Sequence, residues 1–124
     1  MKKLLIVEDD PDIGDVVSIM LTQAGYAVEV VPSRDEAVVR MRTSAYDLFL
    51  VDYCMPGMRL HDFLLLCPEV EQRLILMSAI KDPKIEAKHF QINYWLIKPF
   101  SSEELIATCE RCLAQCANRV AIPN

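Results

Sequence analysis

Leu4-Leu5-Ile6-Val7-Glu8-Asp9-Asp10-Pro11-Asp12-Ile13 is the stretch on which the reading of this chain turns. Four apolar residues in a row, with no polar alternation, suit a strand covered on both faces, as in a parallel sheet. Three acidic residues end the run abruptly. Asp10-Pro11 then has the form of a helix start, with Asp10 as N-cap and Pro11 at the first helical position, where its missing N–H does no harm. Strand, acidic turn and helix in such quick succession make a β–α unit, and Gly25 is placed to close its helix.

The same alternation repeats along the chain. Short apolar runs recur at Ala27–Val31, Leu48–Val51, Leu74–Met77 and Tyr94–Ile97, separated by longer amphipathic segments. Ser33-Arg34-Asp35-Glu36 and Ser101-Ser102-Glu103-Glu104 both have the Ser-x-x-Glu form of a capping box and mark the starts of the second and last helices. His61 to Cys67 reads as a short helix stopped by Pro68, and Pro83 to Phe90 as another. Five strand–helix units in this order predict an α/β fold: a doubly wound, five-stranded parallel sheet between helical layers, with functional groups at the carboxyl ends of the strands. A chain of 124 residues is expected to form a single domain over residues 1–124, with a tail over 119–124.

Composition narrows the function. The hydrophobic fraction of 52% opposes disorder, and the longest apolar runs are far too short to cross a bilayer. Lys2-Lys3 before Leu4–Val7 mimics the start of a signal peptide, but Glu8, Asp9 and Asp10 interrupt it, so a cytoplasmic location and no membrane partner are expected. A net charge of −5 and a pI near 5.0 disfavour direct nucleic-acid binding, which rests on clustered Lys and Arg. Five cysteines fit no extracellular disulfide framework and are expected to be reduced.

The strand ends carry a pattern. Glu8 and Asp9 follow the first strand, Asp52 the third, Ser78 the fourth and Lys98 the fifth. One such residue could be an ordinary loop residue; four strands delivering polar groups to one edge is the informative fact. Carboxylates from Glu8, Asp9 and Asp52, brought together, would repel and so call for a divalent cation. Hard oxygen ligands with no His or Cys beside them suit Mg²⁺. Asp52 could then attack phosphorus as a carboxylate nucleophile, with Lys98 binding a phosphoryl oxygen as a point charge and the Ser78 hydroxyl donating to another.

Four strings, Leu-Leu-Ile-Val-Glu-Asp-Asp-Pro-Asp-Ile, Leu-Phe-Leu-Val-Asp-Tyr-Cys-Met-Pro-Gly-Met, Leu-Ile-Leu-Met-Ser-Ala and Trp-Leu-Ile-Lys-Pro-Phe, together resemble the receiver domains of bacterial two-component response regulators, over nearly the whole chain. The resemblance implies a flavodoxin-like α/β/α fold and a phosphorelay function. Asp52 would be the phosphoacceptor, Asp9 a direct Mg²⁺ ligand, Glu8 a ligand through water, and Cys54 a ligand through its backbone carbonyl. Ser78 would be the switch hydroxyl, Lys98 the family's lysine, Lys98-Pro99 a cis peptide and Trp95 the aromatic switch residue. The implied partners are a histidine kinase or phosphotransfer protein upstream and a downstream protein target or output domain. Such a domain is not a turnover enzyme.

The chain also departs from the family pattern. Arg59-Leu60 follows Gly57-Met58 where Asp-Gly is frequent, and the intervals from Asp52 to Ser78 and from Ser78 to Lys98 are short, so the helices in both intervals are expected to be altered. Cys54 and Ile80 stand where the family tunes phosphoryl lifetime. Neither is well suited to orient an attacking water, so autodephosphorylation is not expected to be among the fastest in the family. A phosphohydrolase with an aspartyl-phosphate intermediate is a competing reading, weakened because Cys54 stands where such enzymes carry a second Asp. A degenerate receiver acting as a phosphorylation-independent interaction scaffold is the other alternative. Cys109, Cys112 and Cys116 share a helical stripe with Leu105 and Val120 and are read as packing rather than zinc ligands; Cys67 is read as core, and His61 and His89 as surface residues.

Overall fold

The structure, a computed structural model, describes residues 1–79 and 92–121. Strand β1 (Lys3–Val7) leads to α1 (Pro11–Gln23), β2 (Ala27–Val31), α2 (Arg34–Met41) and β3 (Leu48–Asp52). Helix α3 (Leu60–Leu66), a 3-10 segment (Pro68–Arg73), β4 (Leu74–Ser78), β5 (Tyr94–Ile97) and α4 (Ser102–Ala121) complete the described order. The helix expected at Pro83–Phe90, together with Ile80 and His89, lies outside the described residues.

All five strands are parallel, in the order β2-β1-β3-β4-β5. The unbroken apolar runs divide by the two-residue period of a strand. Leu5, Val7, Phe49, Val51, Leu74 and Leu76 face one core, completed by Ala37 of α2 and by Leu60, Phe63 and Leu64 of α3. Leu4, Ile6, Leu48, Leu50, Ile75, Met77 and Leu96 face the other, closed by Val17 and Leu21 of α1 and by Leu105, Cys109 and Cys112 of α4. Burial of both faces is what makes continuous rather than alternating apolar strands stable, each fully buried large side chain contributing about 1.5–3 kcal/mol.

The helix ends follow local chemistry. Asp10 Oδ1 accepts hydrogen bonds from Asp12 N at 2.9 Å and Ile13 N at 3.4 Å, capping α1. Past its other end, Gly25 takes φ +100°, a left-handed turn that reverses the chain toward β2. Ser33 Oγ accepts from Glu36 N at 3.1 Å. At α4 the box is reciprocal: Ser101 Oγ accepts from Glu104 N at 3.1 Å, and Glu104 Oε1 accepts from Ser101 N at 3.5 Å.

The stretch around α3 differs from expectation. Helix α3 begins at Leu60 and ends at Leu66, leaving Cys67 as its C-cap. Pro68 stops it as anticipated but also starts a 3-10 segment, because a proline is tolerated at the first position of a new helical turn. Val70 N donates to Cys67 O at 3.0 Å to close that turn.

With β1 lying between β2 and β3, the chain leaves β1 in one direction and returns on its other side. The strand order reverses there, and the loops after β1 and β3 splay apart to leave a crevice at the carboxyl edge.

Candidate functional site

Strand β1 ends at Val7, and the next residue is held in line with the sheet by a hydrogen bond from Glu8 N to Val31 O at 3.1 Å. Glu8 is thereby buried, at 2% exposure, with its carboxylate at the crevice. Asp9 follows on the exposed side of the turn. Asp52 is the last residue of β3, in register with Met77 of β4, and Tyr53 N donates to Met77 O at 2.7 Å. The sheet thus fixes the backbone on both sides of a carboxylate that is 5% exposed. Asp52 and Ser78 close their strands rather than following them, each strand running one residue past its expected end.

The separate strand ends converge. One carboxylate oxygen each from Glu8, Asp9 and Asp52 lie within 4.8 Å of one another. Lys98 Nζ stands 2.7 Å from Glu8 Oε1 and 3.3 Å from Asp52 Oδ1. The other Glu8 oxygen, Oε2, accepts from Asp10 N at 3.3 Å. Burial works to lower the Lys98 pKa, but the hydrogen bond to Glu8 and the charges of Asp52 and Glu8 outweigh it, and the value lies above that of an ordinary lysine. The ammonium therefore stays protonated at neutral pH. Carboxylates still outnumber it at the cluster, and the donor set is hard oxygen, which fits a small divalent cation such as Mg²⁺.

Around this centre the other expected residues are distributed as follows. Ser78 is fully buried at the end of β4, opposite Ile97 of β5, and its carbonyl accepts from Lys98 N at 2.8 Å. Lys98-Pro99 is a cis peptide. Cys54 lies in the exposed loop two residues past Asp52. Trp95, in β5, is half-buried against the core beneath α2 and α3, and its indole N–H donates to Ile92 O at 3.1 Å. His61 stands apart from the cluster, 3.6 Å from its neighbour Asp62.

One residue escaped the sequence reading. Arg34, taken there only as part of a capping box, is buried beneath the loop that follows Asp52 and donates to its main-chain carbonyls. The available signal was its position: an arginine at the first turn of the helix after β2 stands at the same sheet edge as the acidic cluster.

The chain as a whole is similar to known proteins. The family model described as the response regulator receiver domain matches residues 4–110. The probable transcriptional regulator ycf27 of Cyanidium caldarium is 30% identical over 124 residues, covering 95% of this chain and 49% of the relative. The transcriptional regulatory protein BaeR of Escherichia coli is 28% identical over 120 residues, covering 92% of this chain and 49% of BaeR. The chain thus spans about half the length of these curated relatives. Among solved structures, the chemotaxis response regulator CheY4 of Vibrio cholerae is similar, with 30% identity, a TM-score of 0.80, and coverage of 90% of this chain and 98% of CheY4.

Proposed function

The chain belongs to the response regulator receiver domains, a family of signalling domains, and on that footing we propose that it accepts a phosphoryl group on Asp52 and so switches the binding of a partner protein. The carrying observation is the meeting of Asp52, Glu8, Asp9 and Lys98 at one crevice. In this reading residues 1–124 act as one receiver domain in the cytoplasm, fed by a histidine kinase or phosphotransfer protein.

Glu8, Asp9, Asp52 and the backbone carbonyl of Cys54 are the groups that would hold Mg²⁺. When bound, the ion supplies positive charge against the phosphoryl oxygens. An oxygen of the Asp52 carboxylate forms the new bond to phosphorus as the bond from phosphorus to the donor's imidazole nitrogen breaks. The bonding electron pair leaves with that nitrogen, and the product is a mixed anhydride on Asp52. Lys98, held protonated between Glu8 and Asp52, is placed to transfer its hydrogen bond from carboxylate to phosphoryl oxygen.

Ser78 is assigned as the second phosphoryl donor through its hydroxyl. Trp95 is assigned as the aromatic that changes packing in response; its bond to Ile92 O then marks one of two arrangements whose populations the phosphoryl group shifts. The Cys54 side chain is poorly suited to orient an attacking water, which supports autodephosphorylation that is not among the fastest in the family.

Incubation with Mg²⁺ and acetyl phosphate is expected to add one phosphoryl group by intact mass, and neither Asp52→Asn protein nor chelator-treated wild type should show it. If wild-type protein gains no mass under conditions that label another receiver, the phosphorylation-independent scaffold replaces this reading.

A further inference from the structure

Arg34 opens α2 directly after its N-cap Ser33, a place where a long cation ordinarily reaches solvent, yet it is 3% exposed. Its guanidinium gathers the main chain of the β3–α3 loop. Nη1 donates to Met58 O at 2.8 Å, and Nη2 donates to Asp52 O at 2.8 Å and to Tyr53 O at 2.9 Å. The first of these carbonyls stands just before the residue that caps α3; the other two belong to the end of β3 and the residue after it.

We infer that Arg34 is the positioning residue of the phosphoacceptor loop. Holding the Asp52 carbonyl orients the 52–53 peptide, and holding the Tyr53 carbonyl orients the 53–54 peptide. Together they set the backbone from which the Asp52 carboxylate and the Cys54 carbonyl project. The grip on Met58 fixes the far end of the same loop, across the left-handed turn at Gly57, φ +88°. A planar fork with several N–H donors can bridge carbonyls in different directions at once; a lysine ammonium on a flexible stem offers no such rigid span. All three of these bonds end on main-chain carbonyls, so through them Arg34 acts on the backbone. The inference rests on the proposed role of that loop in binding Mg²⁺ and phosphoryl.

The test compares wild type with Arg34→Lys, which keeps the charge, and Arg34→Met, which keeps the apolar stem. Amide hydrogen exchange over residues 53–60 should rise in both variants while β1 and β4 stay protected. The Mg²⁺ concentration that half-saturates phosphorylation by acetyl phosphate should rise about 10–100-fold, the range typical when a group that orients a metal ligand is removed. Lysine should rescue neither effect. Unchanged loop exchange in Arg34→Lys, or exchange raised equally across β1 and β4, overturns the inference, the latter making Arg34 a staple of the whole fold. If wild-type protein itself accepts no phosphoryl group, the functional reading fails, and loop exchange alone still decides the role of Arg34.

Discussion

Lys98 illustrates how a single residue is held between opposing effects. Burial disfavours its charge, yet the hydrogen bond to Glu8 and the field of Asp52 raise its pKa. Its contribution to stability is therefore complete below the lysine's unfolded value and is lost only as pH rises through the higher folded one. The cysteines separate by the same physics. Burial first, and the charge of Glu110 second, push the Cys109 thiol up to about 12, whereas Cys54 is exposed. At Cys109 the neutral thiol is the stable form; folding is favoured by it below the ordinary thiol pKa, and that advantage is lost as pH climbs toward the raised value. Because only the thiolate attacks a disulfide reagent, titration of native protein at pH 8 should show Cys54 as the fastest-reacting thiol. Cys54→Ser should remove that phase and leave Cys109 unreactive until the protein unfolds; rapid labelling of Cys109 in folded protein would contradict the burial account.

At the scale of the element, α3 depends most on its surroundings. It is a helix of 7 residues, and Arg59 at its N-cap makes no side-chain capping bond. So short a helix is not stable by itself, and the burial of Leu60, Phe63 and Leu64 against the sheet must hold it in place. Phe63 is fully buried. Phe63→Ala is expected to cost about 3–5 kcal/mol, measured as a lower urea midpoint. A loss under about 1 kcal/mol would mean that the site collapses to fill the space. Helices α1 and α4 are different, since their starts are fixed by chemistry within a few residues. This is why Asp10-Pro11 and Ser101-Glu104 could be read directly, while the 3-10 segment after Pro68 could not. Proline stops one helix and starts another with the same restricted φ, and only the packing of Val70 into the core shows which occurs.

For the whole molecule, the acidic crevice predicts a thermodynamic link between metal and fold. An ion bound only by the native state stabilises it by mass action, about 2.7 kcal/mol at a concentration 100 times its Kd. Mg²⁺ should therefore raise Tm by several degrees, and Asp9→Asn should abolish most of the rise; an equal rise in Asp9→Asn protein would place the ion elsewhere. The crevice depends on the order of the strands. By itself the sequence determined that five apolar runs would form strands, that named residues would cap particular helices, and that acids, a serine and a lysine would stand at strand ends. Each of these is decided by neighbours along the chain: a run with no polar alternation, an Asp before Pro, a charge at the first turn beyond an apolar run. Tertiary structure alone decided that β1 lies between β2 and β3, that Lys98 reaches Glu8 across 90 positions of sequence, and that Arg34 turns inward to the loop after Asp52. Those contacts join residues far apart in the chain, and no local preference encodes the order in which parallel strands assemble. A buried arginine carries the same letter as a solvated one, and only the carbonyls that surround its guanidinium distinguish them.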